Sequence, residues 1–332
     1  MRSVGSINPS GDSREDFGGA QMLPLTLALA VAMDLAVGDP QWRFHPVRLV
    51  GMLAERVESA CRSLPVNPKV QGGIFLAVTL LAAVLPLMVF LEILQVLRLG
   101  WLGGAITIYF CLGGKSLATE VTRVLSHLRS RDLDGAAEGL KFIVSRDVEG
   151  MDQGYLVRSA IETLAENFSD AVTSTLLYGA LGGPVLAWIH RVVNTLDAMV
   201  GYRDERYSDF GSASARLDDL LNFLPSRMSA LVVAAAGQIM GGNFKDAWEG
   251  AKEDAPKDES PNSGWPISAF AHALGVTLGG QTSYSGQWSL NPIMGKGPSP
   301  EVEHLERAIS IYWVSYMISA LVSLGIGGLM SL

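Results

Sequence analysis

Stretches without charged residues dominate the pattern of the chain and predict membrane-spanning helices. No charge occurs over 20 positions at 72–91, over 16 at 99–114 and over 25 at 308–332. About 20 apolar residues cross a bilayer as an α-helix. With a shorter apolar segment near the start, the pattern predicts four spans, near 20–38, 72–97, 99–114 and 309–330.

Two further apolar segments, 171–189 and 228–244, are ambiguous by pattern alone. The blocks 39–71 and 115–170 carry many Lys and Arg, which favours the cytoplasmic side for both. If the arginine-rich block 190–227 stays on that side, the two apolar segments are re-entrant, interfacial or buried in protein. Glycines and a proline in the first segment favour a broken helix, which is tolerated where protein or water satisfies the backbone.

The polar blocks between these segments show helical periodicity. An apolar stripe predicts a helix over 115–141, and Asp152 is a predicted N-cap for a helix over 152–167. Neither an internal repeat nor a strand-rich region is evident. We therefore predict an all-α polytopic integral membrane protein with about four spanning helices, re-entrant or interfacial helices and cytoplasmic helical segments.

The predicted organisation is a disordered N-terminal extension, 1–19, followed by a single membrane domain, 20–332. Acidic residues precede the first apolar segment and no clear cleavage site follows it, which favours an uncleaved anchor over a signal peptide. The polar segments expected to carry the chemistry are 39–71, 115–170, 190–227 and 245–308.

Composition and charge narrow the function classes. Charged residues make up 17% of the chain, against about 25% in typical globular proteins. The 25 basic residues are scattered and the net charge is −8, so we expect no nucleic-acid partner. The two cysteines, Cys61 and Cys111, form no C-x-x-C motif, so neither a zinc site nor a disulfide framework is indicated.

Three carboxylates follow one another at four-residue spacing, at Glu162, Glu166 and Asp170. Residues four apart share one face of a helix, where like charges repel. Mg²⁺ takes oxygen ligands and would relieve that repulsion. Pairing of Glu162 with Arg158, one turn earlier, is the alternative explanation.

The densest polar cluster lies between the two ambiguous apolar segments. It contains Asn194, Asp197, Arg203 and Arg206, followed by Arg216, Asp218 and Asp219. Arginine forks match phosphate oxygens and carboxylates hold Mg²⁺, whereas mixed charges also suit a structural ion-pair network. Charge close to a bilayer is costly, which favours a function for this cluster.

Two smaller clusters complete the set of candidates. His45 and Arg48 follow Gly38-Asp39-Pro40 at the end of the first predicted span, where they would suit a phosphate or metal, or simply form a turn. Lys257 precedes Ser260 and Asn262 in a turn-rich segment that could cradle a phosphate through its backbone N–H groups.

At these clusters the chain resembles the adenosylcobinamide-phosphate synthases, the CobD/CbiB family of cobalamin biosynthesis, over roughly residues 23–330. The motifs that carry the resemblance are Asp34 with Gly38-Asp39-Pro40, His45-Pro46-Val47-Arg48, Ser145-Arg146-Asp147, Glu162 to Asn167 with Asp170, Asn194 to Arg206, Arg216-Leu217-Asp218-Asp219 and Ser260-Pro261-Asn262. Three positions depart from the family pattern. Asp258 and Glu259 follow Lys257 where His and Pro are usual, which puts the role of that loop in doubt, and Ala171 replaces a glycine.

The resemblance implies an enzyme of the inner cell membrane, multi-pass, with its active face in the cytoplasm. It would use ATP and Mg²⁺ to join a corrinoid, adenosylcobyric acid, to (R)-1-aminopropan-2-ol O-phosphate or a similar amino-alcohol phosphate. Its partners are thus the two substrates and the lipid bilayer. The sequence does not decide whether the protein forms a complex with later membrane enzymes of the pathway. It does not decide the oligomeric state either.

The matching positions, taken with their residue types, supply candidate roles. Catalytic candidates are His45, Glu166, Asp197 and Asp219. Metal candidates are Glu162, Glu166, Asp170, Asp218 and Asp219. Candidates for substrate or phosphate binding are Arg48, Arg146, Asn167, Asn194, Arg203, Arg206, Arg216, Lys257, Ser260 and Asn262.

Three other functions fit the sequence less well. A Mg²⁺-dependent phospho- or prenyl-transferase would explain Asp218-Asp219-x-x-Asn222, but a second aspartate-rich motif is missing. A non-enzymatic regulatory membrane protein resembling AmpE would lack the Arg-Asp, Glu-Asn and Arg-Leu-Asp-Asp motifs that this chain has. A transporter would show charges within its spans and paired repeats, and neither is evident.

Overall fold

Helices make up most of the computed structural model, which describes residues 22–40, 42–202, 204–284 and 286–332. The predicted extension 1–19 lies outside these residues. The α-helices are α1 (Leu23–Val37), α2 (Pro46–Arg62), α3 (Pro68–Val96), α4 (Gly100–Cys111), α5 (Gly114–Arg129), α6 (Leu133–Leu140), α7 (Gln153–Asn167), α8 (Ser174–Val200), α9 (Ser212–Ile239), α10 (Phe244–Asp254), α11 (Gly264–Leu274) and α12 (Val302–Met330). The prediction of an all-α polytopic membrane protein is confirmed.

Four helical stretches are long and apolar enough to cross a membrane: α3, the continuous stretch Gln153–Val200, α9 and α12. The predicted segments 72–97 and 309–330 fall on α3 and α12. The predicted segments 20–38 and 99–114 instead form α1 and α4, whose 15 and 12 residues are shorter than the roughly 20 that a span requires. The ambiguous segment 171–189 lies on Gln153–Val200, and residues 228–239 of the other ambiguous segment lie on α9.

The stretch Gln153–Val200 is interrupted twice. A π-helical turn, Phe168–Thr173, joins α7 to α8, and such turns often occur at functional sites. Within α8, Gly182 and Gly183 leave helical geometry before Pro184, as the predicted break requires. Gly183 has a φ of +66°, which favours glycine, and Pro184 has no N–H to donate to the preceding turn.

Side-chain caps begin several of the polar helices. The predicted cap Asp152 accepts a hydrogen bond from the backbone N–H of Tyr155 at 2.8 Å and begins α7. Asn67, Asp132 and Asn243 cap α3, α6 and α10 in the same way. Such a cap satisfies an N–H that has no partner within its helix.

A small antiparallel hairpin, β1 (Leu278–Tyr284) and β2 (Gln287–Met294), lies in a glycine- and serine-rich segment where no strand was predicted. Asp147 anchors the hairpin, since its Oδ2 accepts from the Ser283 hydroxyl at 2.6 Å and from the Gly286 N–H at 2.8 Å. The hairpin is therefore fixed against the loop that enters α7.

Apolar side chains form two cores. The larger one packs α1, α5, α7, α9, α11 and α12 together, with Phe168, Tyr312 and Tyr316 among its largest buried members. The smaller one gathers around Phe75 and Phe210. The outer surface of α3 remains apolar and exposed, as a lipid-facing helix would be.

Candidate functional site

A cavity of about 540 Å³ opens where α7, the π-helical turn, α8 and α9 meet. The loop 143–146 and the loop that enters α11 complete its wall. Ten of the predicted site residues line it, namely Arg146, Glu166, Asn167, Asp170, Asn194, Asp197, Asp218, Asp219, Ser260 and Asn262. Segments separated by more than a hundred residues thus supply a single polar site.

Carboxylates dominate the wall. Glu166 and Asp170 come from α7 and the π-helical turn, Asp197 from α8, and Asp218 and Asp219 from the first half of α9. Asp170 experiences the charges of Asp218, Glu166 and Asp197. Five acidic groups close to one another attract cations, or ligands that carry them.

Amides, rather than cations, orient Asp218. Its Oδ2 accepts from Asn222 Nδ2 at 2.9 Å, and its Oδ1 accepts from Asn194 Nδ2 at 3.3 Å. Asn222 is itself fixed, because its Oδ1 accepts from Ser174 Oγ at 3.1 Å and lies 2.8 Å from His190 Nε2. These neutral partners therefore hold the Asp218 side chain in place on the cavity wall.

The loop before α11 is attached to α9 through Asn262. Its side-chain N–H donates to the backbone oxygen of Asp219 at 2.8 Å, and its Oδ1 lies 3.3 Å from Ser226 Oγ. The hydroxyl of Ser260 accepts from the N–H groups of Asn262 and Ser263 at 3.2 and 3.3 Å. These contacts place Ser260 and Asn262 on the cavity wall.

Lys257 does not reach that wall. Its Nζ lies 2.5 Å from Oδ1 of the buried Asp254, which also contacts His272 Nε2 at 2.7 Å and accepts from Gly295 N at 2.8 Å. These donors outweigh the effect of burial and hold the pKa of Asp254 below its ordinary value. Asp258, which replaces the family's usual histidine, behaves in the opposite way, because its own burial raises its pKa.

Arg146 joins the wall to a buried ion pair. It contacts Glu162, whose Oε1 also accepts from Gly279 N at 2.7 Å and lies 3.9 Å from Arg158 Nε. Burial lowers the pKa of Arg146, but the charge of Glu162 and its hydrogen bond raise it, and the net shift is upward. Glu162 does not line the cavity. It lies near Arg158, the partner that the four-residue spacing had offered as an alternative to a metal ion.

Other predicted residues also lie away from the cavity. His45 is buried in a turn, where its Nε2 is 2.8 Å from Asp39 Oδ1 and its Nδ1 accepts from Val47 N at 3.3 Å. The exposed Arg206 lies 3.4 Å from Glu58. Arg48 and Arg216 are exposed and do not line the cavity, and Arg203 lies outside the described residues.

Sequence reasoning placed Asn222 in the Asp218-Asp219-x-x-Asn222 motif without naming it as a site residue, and it did not select Arg191. Asn222 follows Asp218 by four residues, so helical spacing alone predicts that they share a face. Arg191 precedes Asn194 by three residues on α8, and its charge acts on Asp170. The buried Nε of Arg191 has no hydrogen-bond partner within the part of the chain that the structure describes.

The carboxylates of the cavity wall can be ligands of Mg²⁺ together with the oxygens of a bound phosphate. Among the described residues, no three His, Cys, Asp or Glu side chains lie close enough to hold a metal ion by themselves. Mg²⁺ is commonly bound through one or two carboxylates together with phosphate oxygens and waters. The five carboxylates can supply such ligands.

Comparison with known proteins identifies relatives along most of the chain. The family model described as CobD/Cbib protein matches residues 27–312. "Cobalamin biosynthesis protein CobD" of Geobacter metallireducens is 41% identical over 82% of this chain and 86% of its own. The proteins of the same name from Pelobacter propionicus and Chromobacterium violaceum are 39% and 36% identical, covering 82% and 91% of this chain and 85% and 97% of their own. No solved structure matches the chain.

Proposed function

The chain belongs to the CobD/CbiB family of cobalamin biosynthesis, and on this premise we propose that it is an ATP-dependent ligase. It would form an amide between adenosylcobyric acid and (R)-1-aminopropan-2-ol O-phosphate, or a similar amino-alcohol phosphate, to give adenosylcobinamide phosphate. The observation that carries the proposal is one cavity whose wall combines five carboxylates with Arg146 and fixed asparagine amides.

The chemistry explains why such a wall is needed. A carboxylate does not condense with an amine unaided, so its oxygen first attacks the γ-phosphorus of ATP, and the bond from that phosphorus to the ADP oxygen breaks. The amine nitrogen then attacks the carbon of the acyl phosphate, inorganic phosphate leaves, and the nitrogen loses a proton to a base. Both steps bring anions together, so positioning and charge neutralisation supply most of the catalysis.

Different residues of the cavity wall would bind the metal ion and the anionic groups. Glu166, Asp170, Asp218 and Asp219 would hold Mg²⁺ together with the nucleotide phosphates. Bound there, Mg²⁺ neutralises charge on the phosphate oxygens. Arg146 lies at the edge of the same cavity, where a guanidinium can bind a phosphate or carboxylate through two N–H groups.

Asp197 is the base that the geometry favours for the amine proton. It lines the cavity, whereas the other candidate, His45, is engaged with Asp39 in a turn away from it. Asn167, Asn194 and Asn262 would orient the substrates, since each contributes to the wall. ATP is cytoplasmic, so the cavity would open to the cytoplasmic side of the cell membrane.

Product formation by the detergent-purified full chain tests the proposal. Adenosylcobyric acid, Mg²⁺, ATP and aminopropanol phosphate are supplied together, and the corrinoids are identified by mass spectrometry. We expect adenosylcobinamide phosphate that depends on both ATP and Mg²⁺. A folded protein that gives no product with aminopropanol phosphate or ethanolamine phosphate would contradict the proposal, and turnover of a prenyl diphosphate instead would favour the transferase.

A further inference from the structure

A second cavity, of about 420 Å³, lies between the loop that enters α7 and the β-hairpin. Its wall includes Lys141, Arg146, Asp147, Met151 and Trp288. None of these except Arg146 belongs to the acidic cavity. The second cavity therefore differs from the first in both residues and charge.

Arg146 lines both cavities and so marks their boundary. Its side chain is 9% exposed and is held by Glu162, which fixes the guanidinium in place. A ligand in the second cavity can thus present one anionic group to Arg146 at the edge of the first. Any anion that must enter the acidic cavity benefits from a cation at that point.

Trp288 gives the second cavity a flat apolar wall. The indole remains 59% exposed, although the ring of Tyr155 meets it edge to face with centroids 6.3 Å apart. Asp147 binds the opposite strand and the hairpin turn, which keeps the indole close to Arg146. A large exposed aromatic ring on an anchored hairpin is suited to stack on a flat ligand.

We propose that the second cavity binds the corrin ring of the substrate, with Trp288 against the face of the ring and Arg146 guiding its propionate into the acidic cavity. This inference rests on the proposed function. A corrinoid is larger than the ligands that pockets of about 300–1,000 Å³ enclose. Only its carboxylate needs to reach the phosphate donor, so the ring requires an adjoining surface.

The polar rim agrees with the chemistry of the ring. Corrin side chains end in neutral carboxamides, which both donate and accept hydrogen bonds. Lys141 and Glu149, paired with each other, offer donors and acceptors with little net charge. A lipid surface would also accept Trp288, but it would not explain why the indole shares a cavity with Arg146.

The test is a Trp288→Ala variant of the full chain, with Ile293→Ala as its control. Ile293 lies on the same strand and is 50% exposed, but it does not line the cavity. We expect Trp288→Ala to raise the KM for adenosylcobyric acid about tenfold, a usual cost of losing one stacking ring. The KM values for ATP and for the amino-alcohol phosphate should stay within about twofold. Equilibrium dialysis without ATP should show the same loss of corrinoid affinity, and Ile293→Ala should change none of these values.

Failure of this inference is distinguishable from failure of the proposed function. A folded native protein that neither binds nor converts adenosylcobyric acid contradicts both. Native turnover with an unchanged corrinoid KM in Trp288→Ala, or with a raised KM for ATP, overturns the inference alone. Equal losses for every substrate would also overturn the inference, because they would assign Trp288 a general structural role. If Trp288→Ala does not fold, Trp288→Phe should keep near-native corrinoid affinity, whereas Trp288→Leu should lose it.

Discussion

Two acidic regions lie one helical turn apart on α7, and they differ in how their charge is balanced. Glu162 is buried against Arg146 and Arg158 and accepts an N–H from Gly279. Glu166, on the cavity wall, faces the charges of other acidic groups as well as that of Arg146. The first region holds the loop, helix and hairpin together, whereas the second is left to interact with a ligand.

The contrast teaches that a dense group of carboxylates does not by itself identify a functional site. Asp254 is as buried as Glu162 and is likewise saturated, by Lys257, His272 and Gly295. Asp218, by contrast, is oriented by the amides of Asn194 and Asn222 and lies among other acidic groups, which repel one another when charged. Repulsion of this kind costs stability, and proteins usually retain it at sites where function requires it.

The largest effect should come from Asp218→Asn. The change keeps the shape of the side chain but removes a charge that would help to bind Mg²⁺ and the nucleotide phosphates. We expect product formation to fall by about 10³-fold, the upper range for loss of one electrostatic group in an active site. Initial rates from the corrinoid assay measure it.

The matched control is Asp246→Asn, which removes an exposed aspartate from the first turn of α10. It should leave the rate within twofold of native. Folding of both variants can be followed with a thiol-reactive fluorescent dye, because both cysteines are buried until the protein unfolds. Native turnover by Asp218→Asn would refute a role for this carboxylate in the chemistry.

Glu162→Gln and Glu166→Gln should have different effects on the stability of the protein. Loss of the Glu162 charge leaves Arg146 without its buried partner, which should lower the free energy of unfolding by about 3 kcal/mol. Glu166→Gln removes one of several mutually repelling charges, so its melting temperature should equal or exceed the native value. Thermal unfolding in detergent compares the two, and equal losses in both variants would contradict the comparison.

A smaller loss is expected for Asp254→Asn. The variant weakens charge-assisted hydrogen bonds to Lys257 and His272 and should cost about 2 kcal/mol at pH 7. The folded pKa of Asp254 is depressed, so the stability it contributes is present above its ordinary pKa of 3.8 and is lost as the pH falls through the lower folded value. The melting temperatures of native and variant protein should therefore converge in acid. If the difference in melting temperature between native protein and variant grows below pH 3.8, the pKa of Asp254 is not lowered in the folded protein.

Much of the architecture could be predicted from the sequence, because apolar runs and caps are local signals. The helix that begins at Asp152 and the break before Pro184 follow from such signals. The hairpin does not, since Leu278–Tyr284 is rich in small polar residues and depends on Asp147, far away in sequence. Local patterns also favoured 99–114 over Ser212–Ile239 as a span, because charges at one end of a long helix mask its apolar part.

The residues of the site were predictable by type, whereas several of their partners were not. Each of the five wall carboxylates was a candidate, since close carboxylates are conspicuous in a chain that is 17% charged. Spacing offered Arg158, one turn earlier on α7, as a partner of Glu162. It could not show that Arg146 from the preceding loop is a second partner, or that His45 faces Asp39. Arg191 was overlooked because its proximity to Asp170 arises only when α8 packs beside the π-helical turn.

The smallest effect should come from Asp258→Asn, which tests one of the two positions after Lys257 where this chain departs from the family pattern. Burial raises the pKa of Asp258, although N–H and hydroxyl groups of Ser260 and Ser263 favour its charge, and the nearby Glu259 and Glu162 raise the pKa further. Asparagine can still accept the 2.9 Å hydrogen bond from Ser260 N. At neutral pH the variant should therefore be slightly more stable than the native chain, by less than about 1 kcal/mol.

The stability contributed by Asp258 depends on pH in the direction opposite to that of Asp254. A raised folded pKa gives stability that is complete below 3.8 and is lost as the pH rises through the folded value. The melting temperature of Asp258→Asn should thus match the native one in acid and exceed it increasingly toward pH 7. A variant less stable than native at pH 7 would place Asp258 with Glu162 and Asp254 among the carboxylates that hold the fold. A more stable variant with slower turnover would instead place it with the wall, as a charge retained for the ligand.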